Sequence, residues 1–245
     1  MNDAALYDKN YFVEHYAHDA KRERMYCQEY ARLSERMPDG GFVLDIGCGT
    51  GGFLCNFGSQ WHTYGFDPSS YALGQAARKG INICEDLAWN PDATFDLVVM
   101  RGTLQHMSNP MPTLDHATRL LRPGGMLAIL ATPDTDSLVY RIWFELPALE
   151  AQRNWVLFGN HYLQNILKRL GYDEIEVLHP YKGTPYARPV KDFCQFLASM
   201  LSGYRKFAFP GNMMEMYARK GPPSASPLSP KWEERQFGGR GEERI

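Results

Sequence analysis

The chain predicts an α/β fold built on a doubly wound, mostly parallel sheet, and three observations carry that prediction. Short apolar strands alternate with helices from residue 42 to residue 131. A glycine-rich turn at residues 47–52 follows the first strand, and the acids Asp45 and Asp67 stand at the ends of the first two strands. Because βαβ crossovers are right-handed, we expect the carboxyl ends of these strands to meet at one edge of the sheet, where ligands bind.

The individual elements follow from apolar periodicity and from the residues that begin and end helices. Ser69 or Ser70 can cap a helix that Gly80 closes. Two further helices are predicted, at 111–121 and from Asn160 to Leu170, and a helical section at 192–201. Strands are predicted near residues 42–46, 63–67, 81–84, 95–100, 126–131, 174–179 and 212–219.

Residues 1–40 are predicted to form two helices, because aromatic and apolar residues recur there at helical spacing. The periodic positions are Tyr7, Tyr11, Phe12 and Tyr16, and then Tyr26, Tyr30, Leu33 and Met37. One interpretation is that both faces simply pack onto the sheet. The other is that this aromatic arm covers a ligand site, with Tyr11 as the candidate lid.

Composition sets the outer bounds. With 245 residues, of which 44% are hydrophobic, the chain can bury one full core. The formal net charge of −2 gives no electrostatic footprint for nucleic acid or for an anionic membrane. With no long apolar run, no signal peptide and no C-x-x-C pair among five cysteines, we expect a cytoplasmic protein with reduced thiols. No metal site is predicted, and His15 and His18 are expected on a solvated helix face.

The glycine turn admits two classes of nucleoside cofactor. Gly47, Gly49 and Gly52 satisfy the G-x-G-x-x-G spacing of NAD enzymes, and Asp67 then serves as the ribose-binding acid. Asp45 argues against that class, because a carboxylate beside a pyrophosphate adds repulsion where the helix N-terminus attracts anions. S-adenosylmethionine has no phosphate and carries an ammonium and a sulfonium, so Asp45 favours it.

Five segments, in order, are similar to the motifs of one family. They are Asp45–Gly51, Gly65–Ser69, Cys84–Leu87, Phe95–Met100 and Leu121–Leu130. In these segments, and from about residue 40 to about residue 220, the chain resembles the class I S-adenosylmethionine-dependent methyltransferases. The resemblance implies a Rossmann-like, mostly parallel seven-stranded sheet with an antiparallel last strand, a helical N-terminal arm and an insertion after the fifth strand.

The same resemblance implies a set of cofactor-binding residues. Asp67 is expected to bind both ribose hydroxyls, Asp86 the adenine amino group, and the backbone N–H of Leu87 an adenine ring nitrogen. The glycine loop passes under the methionine part of the cofactor. The full predicted set is Asp45, Gly47, Cys48, Gly49, Gly51, Asp67, Pro68, Asp86, Leu87 and Arg101.

The chain divides into three predicted parts. Residues 1–40 form the arm, 41–220 the methyltransferase domain, and 221–245 a disordered tail whose proline-, serine- and charge-rich composition cannot bury a core. Within the domain, 132–160 and 182–211 are predicted insertions at the acceptor site. The first is rich in aromatic residues at 143, 144, 155 and 158, which either line a pocket or form a satellite hydrophobic cluster.

Methyl transfer to oxygen needs a group that takes the acceptor's proton. His106, just past the fourth strand, and His161 are the candidate bases, with Asp134 as a third; the alternative for His106 is a structural role at a helix edge, hydrogen-bonded to backbone. Arg101-Gly102-Thr103 stands where relatives that methylate base amino groups carry Asn/Asp-Pro-Pro-aromatic, so nucleic acid is disfavoured. The predicted acceptor is a small molecule or a glycan, with oxygen as the acceptor atom.

Two other functions stay open at this point. An NAD(P)-dependent oxidoreductase would use the same glycine spacing. A partner protein that binds the cofactor without transferring anything would keep the motifs and need no base. The oligomeric state is left open by the sequence.

Overall fold

A computed structural model describes residues 9, 11–12, 19–88, 91–146, 149, 153–202 and 207–222. Within those residues the strands are β1 (Gly41–Ile46), β2 (Trp61–Phe66), β3 (Asn82–Ile83), β4 (Phe95–Arg101), β5 (Leu121–Pro133), β6 (Tyr172–Leu178) and β7 (Met213–Lys220). The helices are α1 (Ala20–Arg36), α2 (Ser70–Arg78), α3 (Met111–Leu120), α4 (Leu138–Trp143), α5 (Asn160–Arg169) and α6 (Pro189–Ser202).

The strands form one seven-stranded sheet in the order β3-β2-β1-β4-β5-β7-β6. Strands β1 to β5 pair in parallel, whereas β7 is antiparallel to both of its neighbours, β5 and β6. The carboxyl ends of six strands therefore share one edge with the start of β7. The predicted fold class is confirmed, including the antiparallel last strand.

Element boundaries differ most from the prediction at β5 and β3. Strand β5 begins at Leu121 instead of 126, because Leu121 already pairs with Phe95 before the glycine turn and the register then shifts. Strand β3 has only two residues, since it lies at the sheet edge and pairs with β2 alone. The predicted cap and stop of α2 are both found: the Ser69 hydroxyl accepts from Ala72 N, and Gly80 has φ +83°.

Both faces of the sheet are buried, as parallel strands require. Alternation along β1 sends Leu44 and Ile46 into a core under α3 and α5, whereas Val43 joins the core under α1. Asp45 shares the face of Val43, and Arg101 continues the same face of β4 after Leu97 and Val99. Two charged residues of the sheet edge are thus turned towards α1.

The α1 helix packs its Tyr26 and Leu33 on that face, and Arg32 and Arg36 bridge to strands β7 and β6. It corresponds to the second helix predicted within residues 1–40. Most of the first predicted helix, including His15 and His18, lies outside the described residues, as does the tail from residue 223 onwards. In the described part of the chain, no helix combines the length and apolar character that crossing a bilayer requires.

A separate small cluster lies beside the sheet, and we call it the satellite cluster. Its buried members are Val139, Leu146, Phe196 and Phe207, with Trp143 and Phe209 packed around them. The rings of Trp143 and Phe196 meet edge to face at 5.4 Å, and Phe196 stacks on Phe209 at 4.6 Å. The aromatic residues of 132–160 divide between this cluster (Trp143), the main core (Phe158) and the surface (Phe144, Trp155).

Strand β5 carries a bulge near its carboxyl end. Its register against β7 shifts between Ile129 and Thr132, and Ala131 between them adopts φ +50°. A left-handed alanine is strained, and strained residues concentrate at functional sites. The bulge marks the point where the sheet edge opens into cavities.

Candidate functional site

The glycine loop after β1 is shaped by its backbone. Gly47, Gly49 and Gly51 have φ of +83°, +53° and +75°, values that other residues adopt at a cost. The N–H groups of Gly47 and Cys48 both donate to Phe66 O, at 2.7 and 3.0 Å, which ties the loop to the end of β2. A Cβ on Gly47 would lie 2.4 Å from the Thr103 side chain, so the loop passes against the segment after β4.

Asp45 lies beneath this loop and is 1% exposed. Its Oδ1 is buried and has no hydrogen-bond partner. Burial raises the pKa of the carboxyl to about 7; the Arg101 guanidinium opposes that shift, and the nearby acids Asp67 and Glu29 add to it. A buried acceptor with no partner is costly, so this oxygen calls for a cationic or donor group from outside the chain.

Asp67 connects the first two strand ends. Its Oδ2 accepts from Gly49 N and its Oδ1 from Ser69 N, both at 2.9 Å. Burial raises the pKa of the carboxyl, and these two backbone donors partly offset the rise. Each oxygen keeps a further lone pair, so Asp67 can hold the loop and still accept hydrogen bonds from a ligand.

A cavity of about 330 Å³ opens above these residues, and we call it the loop cavity. Five residues predicted for the site line it: Gly47, Asp67, Pro68, Arg101 and His106. Tyr11, the candidate lid, lines it together with Phe12. The ring of Tyr11 also lies 4.7 Å beneath the Arg153 guanidinium.

The remaining predicted cofactor residues do not line the loop cavity. Asp45, Cys48, Gly49 and Gly51 belong to the loop and its floor, and burial raises the pKa of the Cys48 thiol, which therefore stays protonated. Asp86 is exposed and accepts from Ala88 N at 2.8 Å, while Leu87 is buried in the core.

Arg101 forms a bidentate ion pair with Glu29, which was not predicted from the sequence. Its Nε and Nη2 donate to the two carboxylate oxygens of Glu29 at 2.6 and 3.2 Å, and the guanidinium lies 4.5 Å from the Tyr26 ring centre. Glu29 is fully buried; burial raises the pKa of its carboxyl and Arg101 lowers it. The signal was present, because Glu29 falls between Tyr26 and Leu33 on the buried stripe of α1, where a charge predicts a partner.

Beyond this ion pair lies a second cavity of about 520 Å³, the arm cavity. Arg101 lines both cavities. The walls of the arm cavity come from α1, from the bulge residue Ala131, from residues 180–186 and from residues 207–215. The described residues of 132–160 line neither cavity, whereas parts of 182–211 line the arm cavity.

Comparisons with known proteins agree with this geometry. A family model described as a methyltransferase domain matches residues 16–177, more than half of the chain. The chain belongs to the class I S-adenosylmethionine-dependent methyltransferases. The predicted cofactor, S-adenosylmethionine, is therefore confirmed, and NAD is set aside.

The names of similar proteins state different activities. A ubiquinone biosynthesis O-methyltransferase of Maricaulis maris is 28% identical over 154 residues, which cover 58% of this chain and 59% of the relative. A tRNA U34 carboxymethyltransferase of Hahella chejuensis is 31% identical over 157 residues, covering 57% and 47%. The match thus spans only about half the length of these relatives.

Among solved structures, an S-adenosylmethionine-dependent methyltransferase of Archaeoglobus fulgidus has the same fold. Its TM-score is 0.56 at 18% identity, and the match covers 87% of this chain and all of the other, at 100%. At that identity the likeness concerns the fold alone.

The residues of this methyltransferase fit the cofactor that its family uses. The unpartnered Oδ1 of Asp45 offers an acceptor to a cationic group, and the loop at Gly47 leaves no room for a side chain. The pair Asp45 and Asp67 makes the floor acidic, which suits a cation and opposes a pyrophosphate.

The three candidate bases are placed very differently. His106 lines the loop cavity, with its Nδ1 3.0 Å from Arg153 O. His161 is 76% exposed, pairs with Asp136 at 2.9 Å and lines neither cavity, which argues against a role as base. Asp134 is 1% exposed and accepts from Asn160 and from His179 Nε2, at 2.7 Å for the latter; it therefore ties β5 to neighbouring elements.

Proposed function

We propose that this chain transfers a methyl group from S-adenosylmethionine to an oxygen of a small molecule or a glycan. The observation that carries the proposal is the buried, unpartnered Oδ1 of Asp45 beneath a glycine loop whose Gly47 lines the loop cavity, with Arg101 lining both this cavity and the arm cavity. The first feature suits a cationic donor, and the second gives the acceptor a place beside it.

The cofactor supplies an electrophilic methyl group, so that an O–C bond forms as the C–S bond breaks and the acceptor's proton passes to a base or to water. The chain's own part is to hold the donor and the acceptor, to orient them towards each other and to exclude water from between them. Asp45 and the glycine loop would bind the amino-acid end of the cofactor, and Asp67 and Pro68 its ribose side. Tyr11 and Phe12 would cover the cavity on its open side.

His106 is the base that the geometry favours. The Arg153 carbonyl oxygen can only accept, so the proton of a neutral His106 resides on Nδ1, at the 3.0 Å contact. Nε2 is then the nitrogen that takes a proton. This assignment is part of the proposal, and a carbonyl-anchored imidazole is well oriented for it.

A small-molecule acceptor is preferred to nucleic acid for two reasons. The net charge of −2 gives the chain no overall positive charge that would attract phosphates. Arg101, the cation at the junction of the cavities, is already paired with Glu29. The name of the Maricaulis maris relative points to an oxygen acceptor, whereas that of the Hahella chejuensis relative includes tRNA, so the test must contain both classes.

The test is an incubation with methyl-labelled S-adenosylmethionine and an extract separated into small molecules, glycans, protein and tRNA. We expect label in the small-molecule or glycan fraction, with an alkali-stable bond typical of an ether. Label in tRNA or protein would refute the acceptor class. Label in no fraction, with S-adenosylhomocysteine still bound, would favour the non-catalytic partner protein.

A His106→Gln variant tests the base in the same assay. Gln keeps a donor for the Arg153 carbonyl but cannot take a proton at neutral pH. We expect methyl transfer to fall about 100-fold and S-adenosylhomocysteine affinity to stay within about twofold, since general bases contribute on this scale. Equal rates in both proteins would remove His106 from the mechanism.

A further inference from the structure

The arm cavity has two unlike walls. One wall is charged, formed by Glu29 with Arg101, by Arg22 of α1 and by Glu215 of β7. The other is apolar and includes Phe207, Phe209, Met213, Met214 and Pro180. A ligand that fills this space must therefore be polar on one side and apolar on the other.

The charges of the polar wall are already balanced by internal partners. Glu215 is 1% exposed, and its two oxygens accept from Arg32 at 2.7 and 2.5 Å and from the Tyr217 hydroxyl at 2.7 Å. Glu29 is held in the same two-pronged way by Arg101. Both carboxylates are therefore neutralised by internal partners and offer their remaining lone pairs to a hydroxyl, while Arg22 of α1 is a further cation in the lining.

The apolar wall is held in place from behind. Phe207 is 4% exposed and meets Trp143 and Phe196 edge to face, at 6.3 Å in both cases. Phe209 stacks on Phe196. Rings fixed by other rings present a rigid surface, and such a surface favours a flat apolar partner over a sugar, whose hydroxyls would lose water there without finding partners.

Asn212 is a polar residue of the lining whose side-chain amide is buried. It lines the cavity and is 4% exposed, and neither its amide nitrogen nor its amide oxygen has a hydrogen-bond partner. Buried side-chain amides without partners are rare in folded proteins. A hydroxyl or carbonyl substituent on the bound molecule would satisfy it.

We propose that the arm cavity binds the methyl acceptor, and that the acceptor is a hydroxylated small molecule with a flat, apolar body. Its reacting hydroxyl lies at Arg101, where the arm cavity meets the loop cavity that His106 lines, and its body lies against Phe207, Phe209 and Met213. A cavity of about 520 Å³ accommodates a molecule of two to three rings. This inference rests on the proposed methyl transfer and narrows its acceptor by excluding glycans.

The experiment uses the full chain saturated with S-adenosylhomocysteine and two probes, 4-phenylphenol and methyl β-D-glucopyranoside. Binding is measured by calorimetry for the wild type and for Ala208→Trp, which places an indole into the arm cavity from a half-buried position. The matched control is Ala77→Trp, on the exposed side of α2. Affinity for S-adenosylhomocysteine, measured in each variant, reports folding and the state of the loop cavity.

We expect 4-phenylphenol to bind the wild type and Ala77→Trp equally, and to bind Ala208→Trp about tenfold more weakly or worse. Affinity for S-adenosylhomocysteine should be the same in all three proteins, and the glucoside should not bind. If Ala208→Trp fails to fold, Phe209→Leu replaces it, with a several-fold weaker affinity for 4-phenylphenol expected.

The inference is overturned if the phenol does not bind, if it binds a cavity variant as well as the wild type, or if the glucoside binds more tightly. Failure of the wild type to bind S-adenosylhomocysteine would instead overturn the proposed function. The two failures are therefore distinct readouts of one titration series.

Discussion

The loop cavity and the arm cavity meet at Arg101 but are held together by different means. The loop cavity is made largely by the backbone of the β1 and β4 strand ends, with positive-φ glycines that only a narrow set of sequences provides. The arm cavity is made by side chains from α1 and from the segments that precede and follow α6 in the chain. Ion pairs such as Arg32–Glu215 join these segments. The comparison teaches that the loop cavity depends on local sequence and the arm cavity on long-range packing.

The strongest test of this difference is Gly47→Val. Its Cβ would meet Thr103 at 2.4 Å, and the backbone would be strained at φ +83°. We expect the affinity for S-adenosylhomocysteine to fall by at least about 100-fold and the free energy of unfolding by about 2–4 kcal/mol. Calorimetry and urea unfolding measure the two effects.

Its matched control is Gly74→Ala, in α2, where an added Cβ meets nothing within 4 Å. A glycine in a helix interior is less stable than alanine by about 0.5–1 kcal/mol, so this variant should be slightly stabilised with unchanged affinity. Equal behaviour of the two glycine variants would show that the loop cavity does not depend on its backbone.

A smaller effect is expected for Asp45→Asn, which keeps the shape and removes the buried charge. Affinity for S-adenosylhomocysteine should fall about 10- to 100-fold, because a charge-assisted contact with the ammonium is lost. The stability of the ligand-free protein should change in the opposite direction. The folded-state pKa of Asp45, about 7, lies above the unfolded value, so its contribution to stability is present at low pH and is lost as pH rises through 7.

At pH 8 the Asp45→Asn variant without ligand should therefore unfold at a temperature at least about 3 °C higher than the wild type. Thermal unfolding followed by circular dichroism measures this. A variant that is both less stable and fully able to bind would contradict the assignment of Asp45 to the cofactor.

A change of pH should alter the affinity for the cofactor product less than the Asp45→Asn substitution does. Because only ionised Asp45 attracts the ammonium and its pKa is about 7, affinity for S-adenosylhomocysteine should fall about fivefold between pH 7 and pH 6. The same titration of Asp45→Asn should show no such dependence. A parallel slope in the two proteins would assign the effect to another group.

Arg101→Lys should alter binding at both cavities. Lysine keeps the charge but loses the two-pronged bond to Glu29, so we expect a loss of about 1–3 kcal/mol in unfolding free energy. Affinities for S-adenosylhomocysteine and for the acceptor should each fall only a few-fold. If one affinity falls and the other does not, Arg101 belongs to one cavity rather than to their junction.

Phe196→Ala is expected to leave cofactor binding unchanged. This ring supports Phe207 and Phe209 within the satellite cluster, apart from both main cores. The free energy of unfolding should fall by about 2–4 kcal/mol, and the acceptor KM should rise several-fold. Steady-state kinetics with saturating S-adenosylmethionine measure it; a changed affinity for S-adenosylhomocysteine would show that the cavities are not independent.

The two cavities also differ in how far the sequence predicts them. The motifs at Asp45, Gly47 and Asp67 are local, so their gathering at one edge follows from strand order, and the structure brings them together. The partner of Glu29 and the setting of Asn212 could not be predicted in the same way, because each depends on segments far away in the chain. His161 was predicted as a base from its position at the start of α5, but α5 turns Leu163 and Leu167 into the main core and leaves His161 exposed.

The satellite cluster also bears on how such a chain changes its target. Phe207 and Phe209, which line the arm cavity, rest on a small core of their own, so we expect that residues 207–209 can be exchanged without disturbing the sheet beneath the loop cavity. A library confined to those positions is thus the natural starting point for redirecting the chain to new molecules. Variants from such a library would keep the glycine loop and the strand ends of the loop cavity unchanged.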